Sequence, residues 1–173
     1  KSAQTISEML FERSTKKRGR FFIMRKRNIR KPVDEFLFLL GVGGSVYYGV
    51  EVLFRGFSHW SMFLLGGLCL VFCTKQGQWT HWMDPLWKQI LRCMVFITSC
   101  EFMTGILVNK IFQWQIWDYS RMPGQLLGQI CIPFSLIFGC LSIFGSYFGG
   151  FLSYFLYREE RPKIILSQKR RQS

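Results

Sequence analysis

A chain of 173 residues is long enough for one domain, and its net charge of +13 would suit a basic soluble protein. The distribution of that charge excludes one. Residues 1–33 carry a net +9 and residues 158–173 a net +4, which together make up the whole excess, so residues 34–157 are neutral.

In chain order, the first element is the basic stretch KKRGRFFIMRKRNIRK. Its bases, Lys16, Lys17, Arg18, Arg20, Arg25, Lys26, Arg27, Arg30 and Lys31, alternate with Phe21, Phe22, Ile23, Met24 and Ile29. That pattern predicts an interfacial segment held by anionic membrane lipids, each base near the surface contributing about 1 kcal/mol. A soluble partner is the alternative. Bases interleaved with aromatics also suit nucleic acid, but nothing here resembles a nucleic-acid module, and such a partner is not the expectation.

Four apolar runs follow: FLFLLGVGGSVYYGVEVLF (36–54), HWSMFLLGGLCLVFC (59–73), LWKQILRCMVFITSCEFMTGILV (86–108) and PFSLIFGCLSIFGSYFGGFLSYF (133–155). About 20 mostly apolar residues at ~1.5 Å each cross a bilayer. The predicted fold is therefore an all-α integral membrane protein with four transmembrane helices. The second run is short, and the third carries Arg92 and Glu101. Before the last span, GQLLGQICIP (124–133) reads as a short re-entrant or interfacial helix. The organisation is a basic N-terminal segment (1–33), a four-helix transmembrane domain (34–157) and a basic C-terminal tail (158–173). With four spans, nineteen bases share one side with both tails, against Arg55, Lys110 and Arg121 opposite. The positive-inside rule then makes both tails cytoplasmic and the protein a multi-pass cell-membrane protein. No apolar leader pattern occurs within residues 1–33.

Small residues recur at four-residue spacing: Gly41, Ser45 and Gly49 on the first span, Gly145 and Gly149 on the last. Such faces predict close helix approach and suit a homo-oligomer or a larger assembly. The six cysteines (Cys69, Cys73, Cys93, Cys100, Cys131 and Cys140) lie in or beside the spans without a C-x-x-C pair, and read as small core residues rather than a metal site or disulfide framework.

Polar residues inside such spans are the functional candidates. Glu51 lies about 15 residues into the first span and Glu101 at a similar distance into the third, which at 1.5 Å per residue puts both in the outer half of the bilayer. Arg55 is one turn beyond Glu51, poised for an ion pair. Ser58 and His59 begin the second span at the same level, Asn109 closes the third, and Trp117, Asp118, Tyr119 and Ser120 follow. Their convergence at one depth predicts an outer-side cluster. It suits structural pairing first, then a pathway for a cation, proton or small polar solute, and last acid–base catalysis or cation binding by two carboxylates near one histidine, His59. No catalytic spacing is recognisable and no cofactor is implied, so enzymatic activity is not the expectation. His81, between tryptophans on the cytoplasmic loop, reads as interfacial, and Arg92 can snorkel to the cytoplasmic face.

YYGVEVLFRGFSHWSMFLLGGL (47–68), Glu101 with Gly105 and Asn109, and WDYSRMPGQLLGQICIPFSLIFG (117–139) resemble the family labelled putative ABC-transporter type IV (CmpB-like), over roughly residues 36–150. The resemblance implies a small integral membrane protein whose motif positions are Glu51, Arg55, Ser58, His59, Glu101, Asn109, Trp117, Asp118, Tyr119, Ser120, Gly128 and Cys131. These residues hold no G-x-x-x-x-G-K-[ST] phosphate loop, so ATP hydrolysis is not expected of them. The leading expectation is a transport-associated or channel-like subunit built around the outer cluster. The alternatives are a scaffold or regulatory membrane protein acting through its basic tails, and a membrane enzyme acting on a lipid or envelope substrate.

Overall fold

A computed structural model describes residues 31–166. The tail bases Lys16 to Arg30 and residues 167–173 lie outside the described residues, and Lys31 opens the first helix. The chain divides into two units, residues 1–36 and 37–173. The described part of the first, residues 31–36, is helical. The second unit holds the rest of that helix and three more.

The helices are α1 (Lys31–Arg55), α2 (Trp60–Trp79), α3 (Leu86–Gly105) and α4 (Ile132–Tyr157). Among the described residues there is no strand beyond an isolated bridge between Leu126 and Ile130. α1, α4, and α3 with its π-helical extension are long and apolar enough to cross a membrane. The 20-residue α2 is not among these three. It extends past the predicted end at 73 to Trp79, and its last turns, KQGQW, are polar.

Helices are the economical answer for such runs, because in lipid every backbone N–H and C=O needs an internal partner. The chain marks their ends with local chemistry. Gly56, at φ +77°, turns out of α1 while its N–H reaches Val52 O at 2.9 Å, the left-handed stop that glycine adopts without Cβ strain. His59 caps α2 by accepting from the Ser61 N–H, and Pro133 sits in the first turn of α4. α3 does not stop at Gly105; it widens into a π-helical stretch, Ile106–Ile111.

α2 packs against α3 and α4, and α3 against α4. α1 meets α2 through glycines on both sides. A Cβ on Gly43 would lie 2.5 Å from the Leu70 Cβ, and one on Gly67 would lie 2.5 Å from the Leu40 carbonyl oxygen. The close face of α1 is therefore Gly43–Gly44. The predicted face is different: Gly41 and Gly49 have nothing within 4 Å of an added Cβ. On α4 the expectation is met at Gly149, which lies against Thr74, whereas Gly145 touches Leu70 and Cys73 only at ordinary distance. The cysteines are all free; Cys73 and Cys93 pack with Ile97 and Phe138 in the middle of the helices.

One predicted element is absent. Residues 124–133 do not form a re-entrant or interfacial helix; they make turns around the Leu126–Ile130 bridge until α4 begins at Ile132. Gly124, Leu127 and Gly128 all take positive φ, which a right-handed helix does not admit. The amides are used as loop ties instead: Gln125 Oε1 accepts from the Gly128 N–H at 2.8 Å, and the Gly128 carbonyl accepts from the Tyr119 N–H at 2.8 Å.

At the other end of the helices the C-terminal segment returns to the α2–α3 connection. The Leu86 N–H donates to Ile165 O at 2.7 Å, and His81 pairs with Glu160 at 2.9 Å on the exposed surface. Trp82 is fully buried against Gly77 and Gly150.

Candidate functional site

Three polar groups meet where α1, α2 and α3 reach the 112–131 connection. The first belongs to the end of α1. Glu51 is buried, and its two carboxylate oxygens are divided: Oε1 accepts from Arg55 Nη1 at 2.9 Å and Oε2 from the Ser58 hydroxyl at 2.7 Å. The i, i+4 spacing puts acid and base on one face, and the Gly56 turn brings Ser58 back over the carboxylate. The second guanidinium nitrogen of Arg55 donates to the carbonyl of Ile116.

The second group is Glu101 with Tyr119. Glu101 is 2% exposed, and its Oε1 accepts from the Tyr119 hydroxyl at 3.1 Å. Its Oε2 is buried without a hydrogen-bond partner. Burial first, then the Glu101 carboxylate, push the Tyr119 phenol above its ordinary range, so it stays a donor. Tyr47 lies within electrostatic reach of both glutamates.

The third group centres on Asn109, in the π-helical stretch. Its Nδ2 donates to Trp117 O at 3.0 Å and to Gln129 Oε1 at 2.8 Å, while its Oδ1 accepts from the Ile116 N–H at 2.7 Å. The Trp117 indole N–H donates to Gln129 O at 3.0 Å. Gln129 is itself 2% exposed, and its Nε2 donates to Leu127 O at 3.0 Å.

Residues 116–119 are the common member of all three. Ile116 serves Arg55 with its carbonyl and Asn109 with its N–H, Trp117 serves Asn109 and Gln129, and Tyr119 serves Glu101. Buried Met62, Leu65, Val108, Ile116 and Trp117 form the apolar packing around them. A segment with no regular structure can sit here because side chains satisfy its backbone.

Of the ten sequence candidates, Glu51, Arg55, Ser58, Glu101, Asn109, Trp117 and Tyr119 join this network directly. The other three stand apart. His59 is the α2 cap, its Nδ1 2.9 Å from the Ser61 hydroxyl and its ring against Trp114. Asp118 and Ser120 are exposed and bonded to each other, Asp118 Oδ1 accepting from the Ser120 N–H at 2.9 Å and from its hydroxyl at 2.5 Å. Those two bonds hold the Asp118 carboxyl below its usual range. Gln129 belongs to the network and is not among the sequence candidates. Its only signal is the second amide in GQLLGQIC, two residues before Cys131.

A separate polar group lies at the opposite end of the helices. Arg92 Nη1 donates to Asp84 Oδ2 at 2.6 Å and Nη2 to Gln76 Oε1 at 2.9 Å, with buried Gln89 beside them. Arg92 thus reaches the α2–α3 connection.

Among the described residues, no three His, Cys, Asp or Glu side chains gather as a metal site. The network holds two buried carboxylates, one neutralised by an arginine and one hydrogen-bonded on a single oxygen. A family model described as Putative ABC-transporter type IV matches residues 36–164. No curated protein and no solved structure matches the chain.

Proposed function

This chain belongs to the family described as Putative ABC-transporter type IV and, with three helices able to cross a membrane, is a transport-associated membrane protein; from that premise we propose a pathway subunit built around the outer network. In this reading α2 completes a four-span topology in the cell membrane, with both tails cytoplasmic. The cluster of Glu51, Arg55, Ser58, Glu101, Asn109, Trp117 and Tyr119 holds a cation, a proton or a small polar solute. Asp118 and Ser120, bonded to each other, and His59, the cap of α2, stand outside it. The bases at 16–31 rest on anionic lipid, and the subunit works as a homo-oligomer or within a larger complex.

The observation that carries the reading is the asymmetry between the two glutamates. Glu51 has a base and a hydroxyl on its two oxygens, whereas Glu101, which is more deeply buried, has one oxygen with no partner. Purely structural acids at membrane depth pair fully, because an unpaired polar group there costs several kcal/mol (about 2–7). An acid left half-paired is suited to a mobile partner.

The test is flux through the full chain reconstituted in liposomes, under a proton or alkali-cation gradient. Glu101→Gln is expected to change the flux while the protein still assembles as the wild type does. A Glu101→Gln protein with unaltered flux would sink the pathway. One that fails to assemble would assign the residue to structure instead.

A further inference from the structure

A cleft of about 220 Å³ runs between α1 and α4 over α2, and Glu101, whose carboxylate has one oxygen without a hydrogen-bond partner, is among its lining residues. Its floor includes Leu70 and Cys73, both buried; its rim includes Val46, Val50, Leu141 and Phe144, all exposed. α1 and α4 close on each other at one end, where Phe38 meets Tyr157 with ring centroids 6.1 Å apart. In a bilayer the exposed rim faces hydrocarbon, so the cleft opens sideways to lipid and not to water.

The lining is carbon and sulfur with three polar exceptions, Tyr47, Ser142 and Glu101. Ser142 spends its hydroxyl on Gly139 O at 2.7 Å. Glu101 Oε1 is taken by Tyr119, which leaves Oε2 as a fully buried acceptor. Among the described residues no Lys or Arg pairs with Glu101; Arg55 is held by Glu51 and Ile116. A cavity of roughly 150 Å³ lined with apolar side chains already takes benzene, so one of this size has room for a short hydrocarbon chain. What the chain must carry is set by the orphan oxygen: a donor, and preferably a positive one.

We propose that this cleft binds a membrane-dissolved amphiphile with a single hydrocarbon chain and a protonated amine head, the chain lying over Leu70 and Cys73 and the ammonium donating to Glu101 Oε2. The site takes its ligand from the bilayer through the α1–α4 opening. It shares Glu101 with the proposed pathway but rests only on membrane placement, so a failure of the flux experiment leaves it standing, and its own failure leaves the pathway standing.

Octylamine, octanol and octanoate share one chain and differ in head group, which makes them the probes. The full chain in nanodiscs of zwitterionic lipid would be titrated with each, and bound copies counted by native mass spectrometry. The wild type is expected to bind octylamine saturably, about tenfold or more tighter than octanol or octanoate, as a charge-assisted hydrogen bond would give. Glu101→Gln should erase that preference. Gly145→Leu fills the cleft from a position where an added Cβ meets nothing closer than 3.8 Å, and should abolish saturable binding with the carboxylate intact. Equal binding of the three probes by the wild type would overturn the proposal, as would octylamine binding that survives Gly145→Leu.

Discussion

Asn109 is the single side chain on which most of the loop's order depends. It serves one backbone N–H, one backbone carbonyl and one buried side-chain amide at once. Asn109→Ala should orphan the buried Ile116 N–H and cost about 1–3 kcal/mol for that group alone. Thermal unfolding in mild detergent would register the loss, and hydrogen exchange should quicken across residues 112–130 while α2 and α4 stay protected. Asp118→Asn is the contrast. Asp118 is exposed and tied to its neighbour Ser120, so its replacement should change stability by no more than about 0.5 kcal/mol. Equal losses from the two variants would mean that depth, and not the Asn109 bonds, orders the segment. Depth alone is what the sequence makes legible at this scale. It gathers Glu51, Arg55, Ser58, Glu101, Asn109, Trp117 and Tyr119, whose hydrogen bonds meet in one network, because each sits at a countable distance along a helix or in the segment past its end. It equally admits His59, Asp118 and Ser120, whose side chains turn elsewhere, and it passes over Gln129. Side-chain direction in an irregular segment depends on φ, and the positive φ of Leu127 and Gly128 that swings Gln129 inward has no apolar periodicity to announce it.

Among the elements, the α1–α2 contact shows how small residues are selected by what faces them. Gly67→Val would drive a side chain toward the Leu40 carbonyl, only 2.5 Å from the new Cβ, and separate the helices at a cost of about 1–3 kcal/mol. Gly41→Ala meets nothing and should instead stabilise α1 by about 0.5–1 kcal/mol through helix propensity. Melting both variants in lipid nanodiscs checks the pair; a strongly destabilising Gly41→Ala would place that face under a neighbouring subunit. The four-residue spacing of Gly41, Ser45 and Gly49 is real in the sequence, yet Gly43 and Gly44 make the contact. Spacing identifies a smooth face, whereas the crossing point depends on where Gly66 and Gly67 arrive from α2. The missing helix at 124–133 has a similar origin. Leu126, Leu127 and Ile130 give an apolar pattern that a short helix would also have, and only the backbone signs of Gly124, Leu127 and Gly128 distinguish the two. α2 is legible in its apolar part and not in its polar end, because Gln76 looks like a loop residue until Gln89 and Arg92 come alongside to satisfy it, and Thr74 does so until its hydroxyl turns back to the Leu70 carbonyl.

For the molecule as a whole, the apolar runs carry nearly all the information about architecture. Four runs become four helices, each within a few residues of its predicted start, because lipid leaves the backbone no other way to satisfy itself. What the runs do not reveal is that the helices are unequal. α1, α3 and α4 expose large apolar side chains along much of their length, such as Leu53, Met103 and Phe144. α2 buries Leu65, Leu70, Val71, Cys73, Thr74 and Gln76 against its neighbours and carries its polar residues at one end. That inequality bears on biosynthesis. As the chain leaves the ribosome α2 emerges second, before α3 can shield Gln76 and before α4 can cover Thr74. A nascent chain ending near residue 84 should therefore insert α2 poorly, leaving a glycosylation tag placed in the 80–84 connection on the wrong side in a large fraction of molecules. Chains extended through Tyr157 should recover a single orientation. Maturation would then proceed by late capture, in which the last helix to be made fixes the position of the second.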